Sequence, residues 1–362
     1  MTTETASPGP PPRRQRELYR VLREQIIRGD LAVGERIPTR RVLQRKFDAA
    51  PQTVDRAVHR LIDGGFCEAR GRHGTFVVDH PPHLCRYGML FPINAPGESH
   101  SSFYTGLQRV AEDISREDRR FQISGYYGIH ANPRSDDYER LSADLRHQRL
   151  AGIITCVPPH VWPADGILQD PGVPQVGIMA DNQRAYFPKV GPGLEAFLTM
   201  SLDHLRDRGC RRAGIIQIDT QSAHEYDAFA EACAERDLTT QPVWCQPTTW
   251  QQTDQAAKVA QLLMFSRDPA PPDGIVIADD HLVPGVTEGL RRAGVGEGRT
   301  VHVAAHCNEP FRPESRVPVA WVGFDLRQMM RRCFKAIDQQ RQGLATEEMT
   351  WIAPQLDASQ AR

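Results

Sequence analysis

The sequence predicts an α/β chain in two parts: a small N-terminal module of three helices closed by a β-hairpin, then a larger body of two lobes built on parallel sheets. Three observations carry this reading. The first eighty residues hold three short amphipathic stripes at helical spacing, followed by two apolar strands across GRHG. From Arg86 onward, strand-like and helix-like segments alternate. The alternation restarts after Gly193, and two successive runs of βα units mean two parallel-sheet lobes with a crevice between their strand ends.

Size and composition agree with several domains. A chain of 362 residues exceeds one ordinary core. A content of 40% hydrophobic and 25% charged residues is that of a globular protein. The opening MTTETASPGPPPRRQR is Pro-rich and polar, and residues 1–14 read as a disordered lead-in. No apolar run is long enough to span a membrane and no signal-peptide core follows Met1, so a cytoplasmic protein without a membrane partner is expected. Eight cysteines without a CxxC pair suit a reducing compartment and argue against a zinc ribbon or disulfide scaffold.

The net charge of −1 hides an asymmetry. Through His80 there are 15 Lys+Arg against 10 Asp+Glu; the remainder carries 29 against 35. A basic module on an acidic body implies that only the first part meets a polyanion.

The module spans residues 15–79. Leu18, Val21, Leu22 and Ile26 form a helical stripe closed by Gly29. After the turn LAVGERIP, Thr39 can cap a second helix running to Phe47, with Val42, Leu43 and Phe47 facing inward. In AAPQTVDRAVHRL, Pro51 suits a first helical turn, Val54, Ala57, Val58 and Leu61 share one face, and Gly64-Gly65 stop the helix. FCEAR and TFVV complete a winged helix–turn–helix, a geometry that puts the third helix in the major groove of double-stranded DNA and the wing on a neighbouring backbone or minor groove. The wing tip Gly71-Arg72-His73-Gly74 lets backbone and cation approach phosphate closely.

On the helical wheel Gln52 and Arg56 point away from the core, flanked by His59 and Arg60. Gln pairs bidentately with adenine and Arg with guanine, so base readout is chemically available. Asp55 can accept from a cytosine amino group, or orient Arg56 or His59. The candidate DNA-binding residues are Arg40, Arg41, Gln52, Thr53, Arg56, Arg60, Gly71, Arg72 and His73.

Residues 80–85, within DHPPHLC, have the proline content of a short stiff linker, and the body runs over 86–356. Its first strands are RYGMLFPI, FQISGYY, GIITCV and PQVGIMA; its second run includes RAGIIQI, VWC, GIVIA, VHVAA and PVAWV, closed by the helix DLRQMMRRCFKAID. The body contains no G-x-G-x-x-G, no Walker A motif and no G-x-S-x-G. His302 and His306 share a strand face beside Cys307, but no carboxylate partner is evident, and packing or cleft lining outweighs a metal site. No cofactor, metal or catalytic residue is expected.

These residues carry two resemblances. The pattern RGDLAVGERIPTRRVLQRKF…TVDRAVHRLIDGGFCEARGRHGTFV resembles the GntR-type winged helix, whose usual form is G-x-L-x-P-G-x-x-L-P-S-x-R-x-L-A…T-V-R-x-A-L…G-x-G-T-F-V. The resemblance implies DNA contacts from Arg41, Thr53 and Gly71. It departs at Pro51 and Asp55, which stand where arginines are usual, and this implies lower non-specific affinity and a different operator.

From about Tyr87 the body resembles the effector domain of the LacI family, which shares the periplasmic sugar-binding fold; its anchors are PINAPGESHSSFYTGLQRVAEDI, RLAGIIT, HLRDRGCRRAGIIQIDTQSAHEYDAFAEAC and DGIVIADDHLVPGVTEGLRRAGV. The resemblance implies interlobe crossings near Arg184–Val190, Val322–Asp325 and Gly343–Thr350, with TWIAPQL ending in the second lobe. It also implies effector contacts from Ser101, Ser102, Phe103, Asp181 and Asp279, with Trp250 stacking on the ligand. Glu225 stands where an arginine often clamps the ligand, and Cys307, with Asn308 beside it, replaces a usual carboxylate. A carboxylate in place of a cation disfavours anionic ligands and favours a neutral or cationic one.

The two resemblances together imply an arrangement like that of arabinose-responsive repressors: a homodimer on a pseudo-palindromic operator, released or held by a small sugar-like effector. Two alternatives stay open: a ligand-independent DNA binder whose vestigial cleft serves dimerisation, and a solute-processing α/β enzyme with a fused helix–turn–helix.

Overall fold

The computed structural model describes residues 13–94, 102–129, 135–162, 166–179, 185–218, 225–249, 253–266 and 268–359. Ser101, Asp181, Trp250 and the side chain of Glu225, all expected effector contacts, lie outside the described residues.

The N-terminal module consists of α1 (Arg13–Arg28), α2 (Arg40–Phe47), α3 (Pro51–Asp63), β1 (Cys67–Ala69) and β2 (Thr75–Val77). Leu18, Leu22, Leu43, Val54, Val58, Leu61 and Phe66 are fully buried and form its core. Thr39 Oγ1 caps α2 by accepting the Val42 amide at 3.4 Å. Val42, expected inside, is 41% exposed; the eight-residue α2 buries only Leu43 against its neighbours. Pro51 opens α3, and Gly65, at φ +76°, supplies the left-handed residue that ends it. The wing strands pair antiparallel with Cys67 opposite Val77, and Gly71–His73 form a 3₁₀ turn at the tip.

The short helix α4 (Pro82–Cys85) leads into the body. The first lobe contains β3 (Arg86–Leu90), α5 (Ser102–Glu117), β4 (Gln122–Tyr126), α6 (Asp136–Arg146), β5 (Gly152–Thr155), β6 (Gln175–Ile178) and β7 (Lys189–Pro192). The second contains α7 (Leu194–Asp207), β8 (Ala213–Ile218), α8 (Glu225–Ala234), β9 (Cys245–Thr248), α9 (Thr253–Phe265), β10 (Gly274–Ile277), α10 (Val283–Arg292), β11 (His302–Glu309) and β12 (Ala320–Asp325). The chain closes with α11 (Leu326–Arg341), β13 (Met349–Ile352) and β14 (Gln355–Asp357).

One six-stranded sheet has the order β13-β7-β6-β5-β3-β4 and the other β14-β12-β11-β10-β8-β9. All pairings are parallel except β12 with β14. GIIT, QVGI and GIVI are buried at every position, which is why these strands read as continuous apolar runs rather than alternating ones. No helix among the described residues is long and apolar enough to cross a membrane.

The lobes share one apolar core, in which Tyr87 and Ile154 of the first join Ile215, Val276 and Phe324 of the second. At their seam Gly106 lies so close to Leu326 that an added Cβ would stand 2.7 Å from its Cδ1.

Two of the three crossings depart from expectation. The first falls at Gly193, because Lys189–Pro192 still pair within the first sheet. The second falls where Asp325 caps α11 by accepting the Gln328 amide at 3.0 Å, as expected. The third falls at Ala353-Pro354, since Met349–Ile352 pair with β7 and only Gln355–Asp357 reach the second sheet. TWIAPQL is therefore divided between the lobes. These are edge strands of three or four residues, too short and mixed in polarity to show a period.

The module packs on the first lobe. The Arg60 guanidinium lies 4.6 Å from the centre of the Tyr19 ring and 3.4 Å from His147 Nε2, just beyond α6. His83 stacks on Phe66 with ring centres 5.8 Å apart, and Arg341 donates to the Leu84 carbonyl at 3.4 Å. Burial, helped by the Arg341 charge, lowers His83 from 6.5 to about 4. Burial also lowers His147, opposed by its bond to the Ala143 carbonyl and assisted by the charges of Arg149, Arg23 and Arg60.

In the pH window between those two His83 values, the unfolded chain binds a proton that the folded joint refuses. Its contribution to stability is therefore complete above about 6.5 and declines as pH falls towards about 4. His83→Phe keeps a ring against Phe66 and is expected to flatten the fall in melting temperature across this window. An unchanged profile would show that His83 is not the group that titrates.

Candidate nucleic-acid interface and ligand cleft

Arg41, Gln52, Arg56, Gly71, Arg72 and His73 are exposed on the module, and Thr53 is half-buried at the start of α3. The side-chain oxygen of Thr39 serves α2, whereas α3 begins at Ala50 with no side-chain cap. Pro51 has no amide to offer there, and the Thr53 and Val54 amides bond the Ala50 carbonyl at 2.9 and 3.1 Å.

Two expected DNA contacts are committed elsewhere. Arg40 donates from Nε to Asp55 Oδ1 at 3.0 Å and from Nη1 to Thr75 Oγ1 at 3.1 Å, tying α2 to α3 and the wing. Arg60 turns towards Tyr19 and His147 rather than outward. A wheel drawn on α3 alone places Arg60 beside the reading face; an aromatic ring on α1 draws it away. Asp55 likewise orients neither Arg56 nor the His59 ring through its carboxylate. That group holds Arg40, and only the Asp55 carbonyl meets His59 Nδ1, at 2.8 Å. The outward set on α3 is then Gln52, Arg56 and His59.

The Arg40–Asp55 pair is 40% and 49% exposed, so it contributes at most about 1 kcal/mol to stability. Its larger effect is to occupy one cation and place one anion on the exposed side of α2 and α3. Asp55→Asn is expected to raise affinity for arbitrary duplex DNA several-fold and steepen the salt dependence by up to about 0.9 in log–log slope. Titrations at several salt concentrations check this; an unaltered slope means that Arg40 stays on Thr75 even without its carboxylate.

Between the lobes, where the strands of both sheets end, lies a cleft of about 580 Å³. Phe103 and Tyr104 enter from α5, Cys156 follows β5, and Ala278 to His281 follow β10. His306 and Asn308 project from β11. Of the expected contacts, Phe103, Asp279 and Asn308 line this cleft. Ser102 stands beside it, donating from Oγ to Asp280 Oδ1 at 2.6 Å. Cys307 does not line it: strand alternation turns its side chain to the opposite face, where Sγ is fully buried and 3.7 Å from Glu309 Oε1.

The sequence reading did not single out Asp280 and His281. The signal was present in the dipeptide Asp279-Asp280 followed by a histidine at the end of GIVIA. Asp280 is 3% exposed and also accepts from Asn308 Nδ2 at 2.8 Å. Burial alone would raise its carboxyl; hydrogen bonds from His281 and Ser102 and the nearby His306 bring it below its ordinary value.

His281 places Nδ1 2.6 Å from Asp279 Oδ1 and Nε2 2.7 Å from the Ser102 amide. An imidazole that accepts the Ser102 N–H is neutral, with its proton on Nδ1. Burial lowers His281, but its bonds to Asp279 and Asp280 outweigh this and push it up to about 10. A second proton on Nε2 turns an acceptor into a donor facing another donor. The Ser102 amide contact and the charged ring therefore exclude each other, and the lobe contact that survives either state is Ser102 Oγ to Asp280.

Asp279, Asp280 and His281 are close enough together to hold a cation, but each already makes hydrogen bonds within the cleft. Ser102→Ala removes the Oγ bond to a charged group, a loss of about 1.5–3 kcal/mol against closure. Hydrogen exchange is expected to quicken at the start of α5 and at residues 280–283; equal protection would remove this contact from the account of closure.

A winged helix–turn–helix with an exposed cationic face, joined to a two-lobed cleft of parallel sheets, defines the class of protein. Comparison with known proteins supplies the families. Residues 14–77 match the bacterial regulatory proteins of the gntR family, and residues 202–357 match a periplasmic binding protein-like domain. The chain thus carries a gntR-family match in its N-terminal module and a periplasmic binding protein-like match in its body.

The mannosyl-D-glycerate transport/metabolism system repressor MngR of Escherichia coli is 34% identical over 64 residues, 18% of this chain and 27% of that protein. The HTH-type transcriptional regulator Rv1152 of Mycobacterium tuberculosis is 39% identical over 69 residues, 18% of this chain and 57% of that protein. The chain thus spans 27% and 57% of the lengths of these curated relatives.

Among solved structures, a LacI family regulator from Lactobacillus casei with bound glucose has a TM-score of 0.53 at 17% identity, over 76% of this chain and 99% of that one. A LacI-family regulatory protein from Chloroflexus aggregans reaches 0.58 at 15%, over 75% and 96%. The regulator CelR in complex with cellobiose reaches 0.55 at 17%, over 87% and 92%. At these identities the likeness is one of fold.

Proposed function

We propose that this protein is a sequence-specific transcription regulator, acting as a repressor, whose operator affinity is set by a small neutral molecule in the interlobe cleft. The observation that carries this reading is the joint between its parts. Arg60, on the helix that presents Gln52 and Arg56, packs against His147 of the lobe whose α5 forms one wall of the cleft. A ligand that changes how the lobes meet then changes how the reading helix is held.

The module comprises residues 15–79, the connector 80–85 and the effector body 86–356. Two copies pair through the body and present two reading helices to a pseudo-palindromic operator in the cytoplasm. Gln52 and Arg56 read bases, while Arg41, Thr53, Arg72, His73 and the Gly71 backbone approach phosphates. Ser101, Asp181, Glu225 and Trp250 complete the ligand site with Phe103, Asp279 and Asn308. The glucose and cellobiose bound by the fold's neighbours make sugars the first class to screen.

The protein is not an enzyme on this reading. The Cys156 thiol lining the cleft is pushed upward by burial and stays protonated.

Arg41→Ala is expected to weaken binding to all sequences alike and reduce the salt slope by about 0.9. Gln52→Ala and Arg56→Ala are expected instead to change the bases recovered in operator selection. If neither variant alters the selected sequence, α3 is not the reading helix.

A further inference from the structure

The described lining of the cleft offers few free partners to a molecule that carries hydroxyls around its whole edge. Each desolvated hydroxyl left without a partner costs about 1–3 kcal/mol. The polar lining among the described residues is Tyr104, Gln217, Asp279, Asp280, His281, His306 and Asn308, and the other lining residues are predominantly apolar.

Most of that polar capacity is already used. Asp279 accepts from the His281 amide at 2.9 Å and meets its Nδ1 at 2.6 Å. Asp280 takes Ser102 and Asn308. Gln217 also has an interaction partner.

His306 differs from these groups. Its Nδ1 is buried without a hydrogen-bond partner among the described residues. Its ring packs against Phe197 and Phe324, with centres 5.6 and 5.5 Å away. Burial lowers its pKa and keeps it neutral at physiological pH, so it can exchange one uncharged hydrogen bond with a ligand. The surrounding wall includes Phe103, Ile178, Phe197, Ile215 and Phe229. A volume of about 580 Å³ is within the range of small-molecule pockets.

We propose that the cleft binds a neutral ring compound with an apolar body, seated against Phe197 and Phe229, and one hydrogen-bonding substituent directed to His306. This rests on the reading of the cleft as the effector site and narrows the effector from any small neutral molecule to a ring compound with an apolar body.

The test uses the full chain and the neutral fluorophore N-phenyl-1-naphthylamine, whose emission rises in apolar surroundings. Saturable binding at one site per chain is expected. Ala228→Arg, at an exposed position of α8 on the cleft wall, is expected to weaken it about tenfold. 1-Naphthol is expected to displace the dye several-fold better than naphthalene, and His306→Phe to remove that advantage. Glucose and cellobiose at millimolar concentration are expected to leave the dye in place.

Absence of a saturable site, dye binding indifferent to Ala228→Arg, an advantage of naphthol that survives His306→Phe, or displacement by either sugar would each overturn the proposal. Operator binding measured on the same samples separates this from the regulator reading. A chain that binds no DNA fails that reading whatever its cleft holds, and one that binds DNA but releases it only with sugars fails the ligand class alone.

Discussion

The buried carboxylate of Asp280 is the constraint around which the two lobes are arranged. A charge removed from water is tolerable only when its oxygens are matched. The second lobe supplies Asn308 and His281, and the remaining partner, Ser102, comes from the first. Satisfying Asp280 draws the start of α5 onto the end of β10. The same approach brings Phe103 and Tyr104 over the cleft and leaves Gly106 no room for a side chain beside Leu326. His281 modulates the arrangement because its two nitrogens face a carboxylate and an amide, which ask for different protonation states.

The module distributes its arginines among three tasks. Arg40 braces the reading helix against the wing, Arg60 connects that helix to the body, and Arg41, Arg56 and Arg72 remain outward. Arg40 and Arg60 in a predominantly basic domain are thus spent on intramolecular positioning. That division gives one departure from the resembled pattern a physical meaning: Asp55, standing where an arginine is usual, anchors a brace to Arg40.

Much of the fold was legible because its signals are local and repetitive. Val54, Ala57, Val58 and Leu61 recur at helical spacing and are all buried on α3; GIIT and GIVI lie in sheets covered on both faces. The short strands β7, β13 and β14 are less legible, since three or four residues carry no period and their pairing is decided by strands far away in sequence. In the cleft, Phe103, Asp279 and Asn308, expected from the family resemblance, line the wall, whereas Cys307 faces away because one position along a strand reverses the face.

The sequence by itself determined the two-part architecture, the winged helix–turn–helix and the alternating body, because helix stops, strand runs and apolar periods are written in neighbouring residues. Tertiary structure decided which polar groups remain available for ligands and DNA. Arg40, Arg60, Asp280 and His281 meet partners 15 to 179 positions away, and no local pattern records that a hydrogen bond has already been made.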